Sequence, residues 1–225
     1  MTFLQSLDWS VVWSYAPSLL GGLMVSFALT LIGFAAGGVV LGTLLALASR
    51  SGTVLLRWPA RAFVEFWRST PLLVQAVWVH FAFPVLTGLR TTPFQSASLA
   101  LVLNVAAYCG EIIRAGVDAV PRGQFEAGRA LGLRPGVLWL RVIGPQAIRI
   151  VIPPLVGSCI SIFKATAILS VVSVDDLMRV ATRVSANTFQ PVEVYTAAAA
   201  LYFVSGLAIT LAGGAAERAL RRGVA

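Results

Sequence analysis

An all-α integral membrane protein, with five membrane-spanning helices and one short exposed helix, is predicted by three observations. The 225-residue chain is 58% hydrophobic and only 12% charged, with a mean hydropathy of +0.85, a composition found in multi-span membrane proteins rather than water-soluble domains. Apolar runs long enough to cross about 30 Å of hydrocarbon recur along it. The arginines gather in the turns between those runs, as the positive-inside rule requires of cytoplasmic loops.

The same composition excludes several functions. A formal charge of +8 could suggest nucleic acid, but no basic cluster alternates with aromatics, and orientation in a bilayer accounts for the charge more simply. Cys109 and Cys159 sit inside apolar runs without metal-ligand spacing, so free thiols and no metal site are expected. No lysine or arginine precedes Arg50. The N-terminus therefore lacks the charged region of a signal peptide and is expected to stay in the mature chain.

Residues 1–17 carry Asp8, Trp9, Trp13 and Tyr15, an aromatic lead suited to the membrane interface. The first span is predicted over 18–48. Within it Ser26, Thr30, Gly33 and Gly37 keep helical spacing, and the pairs Gly33/Gly37 and Gly38/Gly42 predict close helix packing inside the subunit. Arg50, Arg57 and Arg61 mark the following turn as cytoplasmic. A second span is predicted over 54–85, kinked at Pro71, with Thr70 placed to satisfy freed backbone groups and Glu65 spaced to pair with Arg68. His80, among Trp78, Phe81 and Phe83, reads as a packed or interfacial imidazole. Residues 84–98 read as an outer loop.

The third span, 99–120, carries a polar stripe. At 100° per residue Asn104, Tyr108, Glu111, Ala115 and Asp118 fall within about 40° of one line, with Arg114 at its edge. Each central charge costs about 2.5 to 3.5 kcal/mol against lipid, so the stripe should face protein or a watery path. Two readings stay open: a substrate path, or an internal Glu111–Arg114 ion pair that locks the bundle. A fourth span, 147–170, is made irregular by Pro153, Pro154 and Gly157, and the polar stretch around Arg179, Arg183, Asn187 and Gln190 leads to a fifth span, 193–216. Glu217, Arg218, Arg221 and Arg222 close the chain on a basic tail.

Between the third and fourth spans lies GQFEAGRALGLRPGVLWLRVIGP, Gly123 to Pro145, polar and basic where its neighbours are apolar. Gln124 to Leu131 has helix-forming residues, with Glu126 placed in the first turn, and Gly132 and Pro135 stop it. A short exposed helix is predicted over 123–133. Either it is an ordinary basic loop, or something docks on it.

Glu126, Ala127, Gly132 and the distal Pro145 resemble the EAA signature of ABC importer permeases, with Gly128 and Gly144 departing from it. FVEFWRSTPLLVQ, LNVAAYCGEIIRAGVDAVPRGQ, KATAILSVVSVDDLM and NTFQPVEVYT resemble segments of the polar amino acid uptake family in the same order, with Ala165 in place of an acid. The resemblance runs from about Gly22 to Gly206 and implies the type I ABC importer permease architecture. It implies that 123–133 is a coupling helix, with Gln124, Glu126, Ala127, Arg129 and Gly132 engaging an ATPase, in a single permease domain of a bacterial inner membrane. Its expected partners are a second permease subunit, identical or related, two ATP-binding subunits, an extracytoplasmic solute-binding protein and membrane lipid. The N-terminus would lie outside and the C-terminus in the cytoplasm.

ATP hydrolysis on this chain is excluded, because the sole lysine, Lys164, sits in no G-x-x-x-x-G-K-[ST] sequence. ATP and magnesium are expected on the partner, with no cofactor and no catalytic residue here. Intramembrane proteolysis lacks any G-x-S-x-G or H-E-x-x-H. What remains is binding of a zwitterion: Arg114, Asn104 and Gln75 as donors to its carboxylate, Glu111 and Asp176 for its ammonium, Tyr108 along the path. An ion-coupled carrier using Glu111 and Asp176, and a non-transporting scaffold, are the competing functions.

Overall fold

The computed structural model describes residues 7–222, and every regular element among them is helical. Met1–Ser6 of the aromatic lead lie outside the described residues, as do the side chains of Arg221 and Arg222 in the tail. Among the described residues four helices are long and apolar enough to span a membrane: α2 (Ala16–Ser49), α5 (Pro93–Asp118), α7 (Pro135–Val172) and α9 (Pro191–Arg222). Their most apolar windows bury only 22 to 50% of their residues inside the chain. So much exposed apolar surface needs lipid or a neighbouring subunit to cover it.

The short elements are α1 (Ser10–Ser14), α6 (Arg122–Ala130) and α8 (Leu177–Thr188). The region predicted as one kinked span is instead two helices, α3 (Val54–Ser69) and α4 (Leu72–Thr87), meeting at 105°. Thr70 and Pro71 between them are extended, because the residue before proline is pushed out of the α region. α5 starts at Pro93, earlier than the composition of the outer loop suggested. Thr92 and Gln95 form a reciprocal capping box with Pro93 as the first helical residue.

α2 and α5 pack along the glycine pairs, as their spacing predicted. A Cβ on Gly37 would lie 2.5 Å from the Val102 carbonyl oxygen, and one on Gly42 3.1 Å from the Gly110 amide nitrogen. Over Gly33–Leu41 the helix widens to i→i+5 hydrogen bonding. Because the obstacle at Gly37 is backbone, no rotamer change relieves it. Gly37→Ala is expected to cost about 1–3 kcal/mol of stability by overpacking, whereas Gly21→Ala, with nothing within 4 Å, should cost none. Thermal unfolding of the two variants in detergent checks the difference.

Among the described residues two large apolar cores result, besides a small one of Val120, Leu138, Ile143 and Ala147 against which Phe125 packs. One joins α2, α4, α5 and α7 through Leu29, Val79, Leu101, Cys109 and Ile162. The other gathers α2, α8 and α9 around Phe163 of α7, whose ring stacks on Phe27 at 5.1 Å and meets Tyr202 at 5.4 Å. The stretch around Arg179, read from sequence only as polar, is an amphipathic helix that buries Leu177, Val180, Ala181 and Val184.

Candidate functional site

The break between α3 and α4 leaves backbone carbonyls without helical partners, and one side chain satisfies them. Gln75, 5% exposed, donates from Nε2 to the carbonyls of Trp67 (2.8 Å) and Thr70 (3.0 Å) and to Thr70 Oγ1 (2.6 Å). Its Oε1 accepts from Asn104 Nδ2 at 2.9 Å, which ties the break to α5. Thr70 Oγ1 donates to the Phe66 carbonyl, as expected of a residue beside a helix break.

Beside this clamp lies a cavity of about 580 Å³ between the α3–α4 break, α5 and α7. Its polar wall includes Arg68, Asn104, Tyr108, Ser158 and Ser161; Leu101, Val105, Ile162 and Ile168 are apolar. A second cleft of about 310 Å³ is lined by Arg61, Glu65, Arg68, Glu111 and Arg114. Arg68 borders both. Its guanidinium lies 5.7 Å from the centre of the Tyr108 ring, while Tyr108 donates from its hydroxyl to the Arg68 carbonyl at 3.3 Å. The spacing of Glu65 and Arg68 suggested a pair, but Glu65 instead accepts from Ser69 Oγ at 3.4 Å.

The polar stripe of α5 is continuous, and its charged half is an ion-pair chain. Arg114 binds Glu111 with two hydrogen bonds, Nε to Oε2 at 2.9 Å and a second at 2.6 Å, and donates from its other terminal nitrogen to Asp118 at 2.7 Å. Asp118 is also paired with Arg50 at the end of α2. Bidentate pairing of this kind holds geometry as well as charge. The interlocking reading of Glu111 and Arg114 therefore describes this conformation; both line the second cleft and neither lines the larger cavity.

Asp176 stands apart from the stripe. It is fully buried at the start of α8, accepts from the Arg179 amide at 2.9 Å, and lies 3.5 Å from the Tyr202 hydroxyl. Gln75 and Asp176, expected on the substrate path, thus line neither cavity: each is consumed in holding backbone, one at a helix break and one at a helix N-terminus. Burial pushes the Asp176 carboxyl up to about 6 from its usual 3.8. The folded state then holds the proton more tightly than the unfolded one, so stability falls as pH rises between about 4 and 6. Asp176→Asn keeps the cap and removes the penalty. Its unfolding free energy is expected to exceed that of the wild type by about 2–3 kcal/mol at pH 7.5, read as a higher melting temperature, and to match it near pH 4.

The pairing of Arg50 with Asp118 brings the end of α2 to the end of α5, so α6 follows at the same end as the arginine-bearing turn. α6 starts at Arg122 and stops at Ala130, which puts Glu126 in its second turn rather than its first. Gly132, at φ +65°, ends it: the Gly132 amide donates to Arg129 and the Leu133 amide to Gly128, the paired bonds of a Schellman cap. The helix buries Gly128 against Leu138 of α7 and rests Phe125 on the Trp139 ring, 6.0 Å between centroids. A Cβ at Gly128 would lie 2.3 Å from a terminal methyl of Leu138 as that side chain now stands. Gln124, Glu126, Ala127, Arg129 and Leu131 remain exposed.

Residues 38–222 match the model of a family described as the inner membrane component of binding-protein-dependent transport systems. The chain belongs to that family. It is 38% identical to the L-cystine transport system permease protein TcyB of Bacillus subtilis, over 100% of this chain and 96% of the relative. It is 36% identical to the arginine transport system permease protein ArtQ of Bacillus subtilis, over 96% and 99%. A crystal structure of an amino acid ABC transporter with histidines superposes with a TM-score of 0.89 at 34% identity, covering 95% of this chain and 99% of that one. This inner membrane component is therefore a permease subunit of an ABC importer, serving with a binding protein and with ATPase activity on separate subunits. The ion-coupled carrier and the scaffold are set aside by that membership.

Sequence reasoning missed Arg68, whose position three residues after Glu65 suggested a neutralised pair. It also missed the clamp role of Gln75, which depends on a bend that local sequence does not specify. The capping box of α5 was legible in Thr92-Pro93-Phe94-Gln95.

Proposed function

We propose that this chain forms one half of the translocation path of an ATP-driven importer for a polar amino acid or a derivative, working as a single permease domain. Two such subunits, identical or related, pair with two ATPases and an extracytoplasmic solute-binding protein. The observation that carries this reading is α6. A short polar helix is held by Phe125, by Gly128 and by a hydrogen bond from Gln146 to Gln124, exposes Glu126, Ala127 and Arg129, and sits at the end where Arg50 meets Asp118.

In this reading the α3–α4 pair is one broken span, giving five, with the N-terminus outside and the arginine turns, α6 and the tail in the cytoplasm. Closure of the ATPases on ATP and magnesium moves α6. Because α6 is joined to α5 and α7 without slack, the walls of the cavity move with it and access alternates between the two sides. Gln75 and Asp176 then position the path, while Asn104 and Tyr108 line it. Glu111 and Arg114 lock its cytoplasmic end.

The test is uptake into proteoliposomes containing the permease with its ATPases and binding protein. ATP-dependent accumulation of at least one labelled polar amino acid, insensitive to ionophores, is expected; no accumulation of any of them refutes the reading. Breaking the lock gives a second outcome. Glu111→Gln is expected to raise ATP hydrolysis in the absence of binding protein, measured as phosphate release, because Arg114 loses its bidentate partner.

A further inference from the structure

We propose that the start of α3 docks an anionic phospholipid of the leaflet at the Arg50 end, with Arg57 taking its phosphate and Leu55, Trp58 and Ala62 lying against its acyl chains. The inference goes beyond the transport reading, because it concerns the lipid around the chain and holds whatever is carried.

Contacts along α3 place the surface. Arg68, near the break, lies against Tyr108 of α5, and Arg61, two turns earlier, shares a cleft with Glu111 and Arg114. α3 therefore runs beside the second half of α5, and Arg57 and Trp58 stand toward the level where Asp118 meets Arg50. That is the polar end of the span.

The surface there is apolar where it reaches that end. Leu55 is 83% exposed and Trp58 72%. Ala62 and Phe66, both exposed, continue the face from Trp58 by one and two helical turns toward the break. A soluble ATPase could cover the tip of such a face but not the part that runs on into the span. Acyl chains can cover all of it, and an indole at the polar end sits among headgroups.

The charge selects the lipid. Between Arg50 and Val64 stand three arginines and no acid. Arg50 is paired with Asp118, and Arg61 shares its cleft with Glu65 and Glu111, so both have acidic neighbours. Arg57 differs. Among the described residues it makes no ion pair, and it lines neither the cleft nor the larger cavity. Its planar fork of donors matches the two unesterified oxygens of a phosphodiester. A zwitterionic lipid offers the same phosphate but brings a cationic head, which the arginines repel; an anionic lipid brings no such charge.

Native mass spectrometry of the permease purified with its ATPases, titrated with dioleoyl phosphatidylglycerol or dioleoyl phosphatidylcholine, gives a dissociation constant for each lipid. Phosphatidylglycerol is expected to bind the wild type at least tenfold more tightly than phosphatidylcholine. Arg57→Gln should weaken phosphatidylglycerol at least fivefold and leave phosphatidylcholine unchanged, and Arg57→Lys should keep most of the affinity. Trp58→Ala should weaken both lipids by a similar factor. Arg90→Gln, at the opposite end, should alter neither. The comparison of the two lipids uses the wild-type protein, so it stands even if a variant fails to fold. Equal affinity for the two lipids overturns the charge selection, and phosphatidylglycerol binding unchanged in Arg57→Gln overturns the site. Release of the ATPases by Arg57→Gln would assign the surface to the motor and overturn the proposal as well. A complex that holds phosphatidylglycerol as expected but carries out no ATP-driven uptake refutes the transport reading alone.

Discussion

Replacing Glu126 by lysine is expected to abolish ATP-dependent uptake while leaving the permease folded. Glu126 is exposed in the second turn of α6 and makes no ion pair or hydrogen bond among the described residues, so the described fold loses nothing by its reversal. Docked against a partner, the same carboxylate is an interface group, and central interface residues contribute about 2 kcal/mol or more. Affinity for the ATPase should therefore fall by at least ~30-fold. Co-purification of the ATPase with the variant measures that loss, and size-exclusion chromatography of the permease controls for folding. Arg90→Gln, in the loop between α4 and α5 at the opposite end, should change neither. Undiminished co-purification and uptake in Glu126→Lys would show that α6 is not the contact.

The second large effect is expected at Gln75. Substituting leucine keeps the volume but removes the Gln75 bonds to the Trp67 and Thr70 carbonyls and to the Asn104 amide, leaving Asn104 and Trp67 only their mutual 3.4 Å bond. An unsatisfied buried polar group costs about 1–3 kcal/mol, so the variant should lose at least that much. The loss should concentrate at the α3–α4 break. Hydrogen–deuterium exchange of the amides between Phe66 and Val77 is expected to quicken there first, while the α8–α9 core around Phe163 stays protected. A variant as stable as wild type would mean that water takes over the role of the side chain.

These effects divide what the sequence made legible from what it did not. The α5 stripe follows from periodicity alone, since residues at helical spacing share a face whatever surrounds the helix. α6 was legible because a polar, basic segment between apolar runs has few places to go. The packing of Gly37 and Gly42 on α5 was equally visible, because small residues at four-residue spacing predict a close approach.

Partners set by tertiary geometry were not legible. Gln75 reads as a polar residue on a span until the 105° bend brings Trp67 and Thr70 to its amide. Asp176 reads as a partner for the substrate's ammonium, although an aspartate just before the Leu177, Val180, Ala181, Val184 periodicity is the sequence signature of a helix cap. Arg68 and Glu65 satisfy the spacing rule for a pair, yet Tyr108 captures the arginine from another helix. Local rules rank possible partners, and the packing of α3 on α5 chooses among them.

The central claim is that α6 is the cytoplasmic contact for a separate motor. Its most direct measurement uses a single cysteine, Ala127→Cys, in a chain with Cys109 and Cys159 replaced by alanine, treated with a membrane-impermeant maleimide. The account predicts labelling in inside-out vesicles stripped of ATPase, none in right-side-out vesicles, and protection when purified ATPase is added back. Labelling from the outer side, or labelling undiminished by saturating ATPase, would contradict it.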